Sequence, residues 1–161
     1  MPALDTVHQV PLPAEARAFS TLGKIDYEDA FRVQTGRAQD RTAEEWARAI
    51  LDGAPAATRD KLSRGWAALG IRLGSAEPHP DRVLGWEIRL SSPDVMVLGA
   101  RGRGGMSGEL LFRRQQDALL FATMVRLDNP VVRKVWTQIE ARHRQIVHDL
   151  LADASSRLLS A

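Results

Sequence analysis

The chain ends in a helix whose start and buried face can both be read from its residues. Asn129 is a strong N-cap type, and Pro130 follows at the first helical position, where a missing N–H costs nothing. From there Val132, Trp136, Ile139, His143, Ile146, Val147 and Leu150 recur at three- and four-residue steps and trace one apolar face. At about 1.5 Å per residue, roughly 24 residues span about 36 Å, enough to cross a small domain. A stripe of that length must be covered by something equally long, and the elements just before it read as strands. The helix therefore predicts a sheet beneath it. Its stripe carries one titratable residue, His143.

The preceding segments supply that sheet. Ile25 to Val33 alternates, with Tyr27, Asp29, Phe31 and Val33 on one face, and reads as the first strand. Thr42 with Glu45 is a capping box, predicting a helix that turns Trp46, Ala49 and Ile50 inward and stops at Gly53-Ala54-Pro55. A second helix is expected from about Pro55 to Leu69, burying Leu62, Trp66 and Leu69 and ending at Gly70. Then the period changes: Leu84, Trp86, Ile88 and Leu90 alternate with Gly85, Glu87 and Arg89. Three more strands follow, at Val95 to Arg101, Ser107 to Arg114 and Ala118 to Leu127. The turns between them are too short for parallel crossovers, so the strands form an antiparallel meander.

Five strands cannot bury their inner face alone, and only the last helix is long enough to cover them. The expected fold is α+β of the helix-grip kind: a curved antiparallel sheet wrapped on a long C-terminal helix, with two short helices after the first strand. Residues 1–22 read as an N-terminal arm with a short turn around Ala14 to Phe19, residues 23–155 as the single helix-grip domain, and 156–161 as a C-terminal tail.

Composition removes several function classes. With no cysteine there are no disulfides, thiolates, zinc ribbons or iron–sulfur clusters, which fits a cytoplasmic setting. Lys and Arg total 22 against 20 acids, a net +2 without the clustered cations and stacking aromatics of a nucleic-acid surface. No apolar run is long enough to span a bilayer. The glycines at 99, 102, 104, 105 and 108 tempt a phosphate-loop reading, but Ser107 breaks the dinucleotide fingerprint and no helix follows. They read as a hairpin, with Arg101, Arg103, Arg113 and Arg114 as a basic patch on it. No two histidines have metal-ligand spacing, so neither a metal nor another cofactor is expected.

Five stretches together carry a resemblance. They are Asp26-Tyr27-Glu28-Asp29-Ala30-Phe31, Ala43-Glu44-Glu45-Trp46-Ala47-Arg48, Leu84-Gly85-Trp86-Glu87-Ile88, Val125-Arg126-Leu127-Asp128-Asn129-Pro130, and Trp136 with His143-Arg144 and Leu150-Leu151. In order and spacing the chain resembles, over about residues 22–154, an actinobacterial family of domains of unknown function grouped with START-like and polyketide-cyclase-like (SRPBCC) proteins. The resemblance implies the helix-grip fold and a hydrophobic-ligand cavity. It transfers no catalytic residues.

His143 and Asp29 are the sharpest candidates for chemistry. His143, between Ile139 and Ile146, should point at the sheet or into a cavity, where imidazole serves as a base or ligand-binding group. It could equally be a buried neutral histidine satisfied by a carbonyl or carboxylate. Asp29 faces inward beside Tyr27 and Phe31 and needs a partner, either His143 or an arginine, Arg32 and Arg126 among them. An Asp29–His143 pair would be half of an acid–base site. The four tryptophans, with Phe31, Phe112, Phe121, Met96, Met106 and Met124, fall on expected inner faces, as core or as pocket wall.

The expected role is binding a small hydrophobic or aromatic molecule between sheet and helix, with Tyr27, Trp86, Phe112, Phe121, Trp136 and His143 lining the site. The alternatives are a cyclase- or hydratase-type enzyme with His143 as base and Asp29 orienting it, and an interaction module, such as a homodimer, with a filled core.

Overall fold

The computed structural model describes residues 7–159. Its elements run β1 (Val7–Val10), α1 (Ala14–Arg17), β2 (Tyr27–Gln34), α2 (Ala43–Ile50), α3 (Ala56–Ala68), β3 (Arg82–Val83), β4 (Trp86–Ser91), β5 (Val95–Arg101), β6 (Met106–Arg114), β7 (Ala118–Leu127) and α4 (Pro130–Leu159). The strands form one sheet in the order β1-β2-β7-β6-β5-β4-β3, with every neighbouring pair antiparallel. α4 lies over β1, β2 and β7 and against α2, which covers β5 and β6. This is the helix-grip arrangement that the pattern of elements predicts.

Local chemistry starts α2 and α4 where expected. The Thr42 N–H donates to Glu45 Oε1 at 2.9 Å, and the Glu45 N–H donates back to Thr42 Oγ1 at 3.2 Å. Thr42→Ala should lower stability by about 1 kcal/mol, read by chemical denaturation; no change would mean that tertiary packing alone holds α2. At α4 the Val132 N–H donates to Asn129 Oδ1 at 3.0 Å, and Asn129 Nδ2 donates to the Gly104 carbonyl at 2.7 Å. The cap thus ties the helix start to the β5–β6 turn.

Two strands and the domain ends differ from expectation. Residues 7–10, within the expected arm, pair with β2 in register Val7↔Val33 and Val10↔Ala30; residues 1–6 of that arm lie outside the described residues. The rest of the arm covers the outer face of the sheet. Leu12 and Ala16 pack there with Ala30, Val95, Val97, Leu111, Leu120, Ala122 and Met124, so Met124 belongs to this second cluster and not to the inner face. The other unexpected strand, β3, turns back into β4 through Leu84-Gly85, whose φ values are 47° and 86°. That is a two-residue hairpin turn with left-handed backbone at both positions. Leu84 tolerates it because its N–H donates to Asp52 Oδ1 at 2.8 Å and its side chain is buried. α4 runs 30 residues, about 45 Å, taking in all of the expected tail except residues 160–161, which lie outside the described residues. No described helix is long and apolar enough to cross a membrane.

The expected basic patch also comes apart. Arg101 pairs opposite Ser107 and Arg113 opposite Val95, so the two ends of β6 stand about 20 Å apart along the strand. Arg114 is engaged at the far end, donating to Asp94 Oδ1 at 2.9 Å and to the Arg41 carbonyl at 3.0 Å.

Candidate functional site

The period of β2 and the turn of α4 bring the two candidate ionisable residues together. Tyr27 and Asp29 lie two apart on the inner face of β2, and Asp29 sits opposite Thr123 of β7. Trp136 and His143, two helical turns apart on α4, come down over that pair. The Tyr27 ring packs edge-on against Trp136 at 4.9 Å, and the His143 ring lies 5.2 Å from Trp136.

Asp29 is the centre of the polar network. Its side chain is 1% exposed, and His143 Nε2 stands 3.2 Å from Oδ2. The Tyr27 hydroxyl donates to the same oxygen at 2.7 Å, and Arg144 Nη1 donates to the Tyr27 oxygen at 3.4 Å. The His143–Asp29 approach is an ion-pair distance without the alignment of a hydrogen bond, so His143 Nε2 is left without a hydrogen-bond partner. Asp29 Oδ1, Thr123 Oγ1 and Trp136 Nε1 are likewise unpaired and buried among the described residues. Unpaired buried polar atoms are costly, and four of them belong to this one group of residues.

Burial, reinforced by the hydrogen bond to Asp29, pushes the Tyr27 hydroxyl well above the usual tyrosine range, against the opposing pull of Arg144. Because the folded value is raised, the buried phenol stabilises the protein fully below the ordinary tyrosine value. That stabilisation is lost only as pH climbs through the raised one. Tyr27 is the sole tyrosine of the chain, so tyrosinate absorbance reads it alone. The native protein should stay phenolic at about pH 10, where the unfolded chain is half ionised. Native titration at that ordinary value would mean an exposed hydroxyl.

Beside this network lies a cavity of about 320 Å³ between α3, α4 and the inner face of β6 and β7. Its apolar wall includes Leu62, Trp66 and Leu69 of α3, Leu110 and Phe121 of the sheet, and Trp136, Ile139, Ile146 and Leu150 of α4. Thr123 and His143 supply polar atoms, and Lys61 and Arg142 are the charged lining residues. Farther along α4 the interior is packed, with voids of only about 10 Å³ around Trp46, Ile50 and Leu151. A larger open groove of about 1180 Å³ lies on the outer face and edge of the sheet, among Arg72, Arg82, Arg89 and Arg101. It is far more polar than the inner cavity and holds none of the unpaired buried atoms.

Of the expected lining residues, Phe121, Trp136 and His143 face the cavity. Tyr27, Trp86 and Phe112 do not. Tyr27 sits behind Trp136, reaching the site through Asp29. Trp86 packs behind Trp66, with ring centroids 5.2 Å apart at 87°, and Phe112 packs on Phe121 at 4.6 Å. Trp66 takes the place expected of Trp86: alternation assigns an aromatic residue to a face, but not its layer. The expected partners Arg32 and Arg126 do not reach Asp29; Arg126 pairs with Asp128 at 2.7 Å.

No protein-family model matches the chain, and no curated protein matches it in sequence. Among solved structures it is similar to CalU16 from Micromonospora echinospora, at 12% identity over 76% of this chain and 71% of that one, with a TM-score of 0.39. That likeness is too distant to transfer a ligand or a reaction.

Proposed function

We propose that this chain binds a small, largely apolar molecule, ring-shaped or short-chained, in the cavity between α3, α4 and the sheet. One observation carries the reading: an apolar void of about 320 Å³ meets unpaired buried polar atoms of Thr123, Trp136 and His143. Its size falls at the small end of ligand pockets, and apolar walls with a few convergent polar groups are their usual make-up. The walls supply affinity, and the polar atoms fix orientation. This is the helix-grip, START-like role expected from the resemblance, with Trp66 added to Phe121, Trp136 and His143 in the lining.

The test is native mass spectrometry of gently purified protein, followed by thermal shift with flat and short-chain ligands. A ligand at a hundredfold excess over its Kd should raise stability by about 2.7 kcal/mol. Ile139→Trp, which fills the void from α4, should remove that shift while leaving the fold intact by circular dichroism. No co-purifying molecule, together with no shift from any ligand, would remove the reading.

A second reading, an acid–base enzyme of the cyclase or hydratase type, has one specific support: the 3.2 Å approach of Asp29 to His143 at the cavity wall. A buried carboxylate beside an imidazole orients the ring, as a general base requires. His143→Ala separates the two readings. If the protein is an enzyme, the wild type turns a bound ligand over and the variant binds it without turnover; a binder shows no turnover in either form.

A further inference from the structure

We infer that the molecule held in this cavity is an amphiphilic acid, with an apolar body between α3 and α4 and a carboxylate at the mouth between Lys61 and Arg142. The inference rests on the pocket reading and adds the charge of its occupant. Lys61 on α3 and Arg142 on α4 both line the cavity and are both exposed, so they stand where it meets solvent, one on each side. No acidic side chain among the described residues lines the cavity with them. Neither cation is engaged in an ion pair among the described residues. Other arginines of α4 are engaged within the helix, Arg144 with Glu140 at 3.8 Å and Arg157 with Asp153 at 3.0 Å. Two unengaged cations on the two helices that border this apolar cavity set a positive potential there, and low-dielectric walls focus it.

The two ends of the cavity differ in kind. The Trp136 N–H and the Thr123 hydroxyl are unpaired and belong to residues only 4% exposed, so they lie in its buried part, away from solvent. A hydroxyl or carbonyl oxygen on the far end of the molecule would meet them, while its acid group meets the mouth. At about 30 Å³ per water-sized group, the void takes roughly ten such groups. Those dimensions describe a hydroxy or oxo acid on a two-ring or short-chain skeleton.

The probes are naphthoate, its uncharged methyl ester and naphthylmethylammonium, which share one skeleton and differ in charge, with hydroxynaphthoate as a fourth. Affinities are read by calorimetry at low salt on the wild type and on Lys61→Gln/Arg142→Gln. Both substituted residues are exposed, so the variant should fold, and circular dichroism checks that it does. Naphthoate should bind tightest and the ammonium weakest, and the double variant should weaken naphthoate about tenfold while leaving the ester unchanged. Hydroxynaphthoate should bind more tightly than naphthoate. If all three charge types bind equally, or if the double variant leaves naphthoate unchanged, the acid falls while the pocket stands. If none binds, the pocket reading fails and the acid with it.

Discussion

Leu151→Ala is expected to lower the unfolding free energy by about 3 kcal/mol, whereas Ile139→Ala, three turns earlier on the same helix, should lower it by less than about 1 kcal/mol. Truncating a buried leucine removes its transfer free energy and leaves a cavity that its neighbours only partly fill. Leu151 is 2% exposed and sits where α4 meets Trp46 and Ile50 of α2, with voids no larger than a water nearby. Ile139 already faces the 320 Å³ cavity, so truncation removes few contacts and enlarges an existing space. In a domain of this size a loss of about 3 kcal/mol moves the melting temperature by roughly 6–12 °C, which thermal denaturation resolves. Equal losses at the two positions would mean that the cavity is filled by relaxed side chains and that α4 is core along its whole length.

Glu109 should be the other position of large effect, although it lies on the opposite face of the sheet. Its side chain is fully buried. It accepts from Ser20 Oγ at 2.5 Å, from the Thr21 hydroxyl at 2.5 Å and N–H at 3.0 Å, and from Arg89 Nη1 at 3.2 Å. The Arg89 side chain reaches it from a β-bulge in β4, where the pairing slips between Ile88 and Leu90. Glu109→Ala leaves those donors without their acceptor and is expected to destabilise the protein by about 3 kcal/mol. Glu109→Gln keeps one acceptor oxygen and should be milder, at about 1–2 kcal/mol. Because the carboxylate anchors Ser20-Thr21, amide exchange should quicken there before it does in β6. A loss under about 1 kcal/mol for Glu109→Ala would mean that water satisfies Ser20, Thr21 and Arg89 equally well.

The elements that sequence patterning locates are those whose signals are local. Asn129-Pro130 and Thr42 with Glu45 announce helices because an N-cap acts within one turn, and β5, β6 and β7 are apolar runs bounded by short turns. β1 and β3 escape because theirs are not local. Val7-His8-Gln9-Val10 is short and half polar, and becomes a strand only by pairing with β2. β3 ends in a hairpin turn built on Leu84, a residue with no turn preference, held by a hydrogen bond to Asp52 far back in the chain. Glu109 falls on the face that alternation assigns to solvent, and the weakly patterned N-terminal segment covers it.

The site shows the same division. Periodicity sets Asp29 and His143 on facing surfaces, and the structure brings them to 3.2 Å. The choice of Trp66 over Trp86 as cavity wall depends on how α3 docks, which helical spacing does not specify. Lys61 and Arg142 belong to the cavity for the same reason: exposed cations on two helices become neighbours of one opening only after the helices pack.

The chain has four tryptophans, and their indole N–H groups divide the protein into cavity and core. Trp66 and Trp136 line the cavity, Trp86 packs behind Trp66, and the Trp46 N–H donates to the Ala38 carbonyl at 2.8 Å. The most direct measurement follows these four signals by NMR during titration with naphthoate and its methyl ester. The Trp136 signal should move most, since it lines the cavity and its donor is unpaired, with Trp66 next; Trp86, also unpaired but outside the cavity, should move little and Trp46 stay fixed. Saturating ligand that leaves Trp136 and Trp66 unmoved, or shifts all four alike, would contradict a ligand site between sheet and helix.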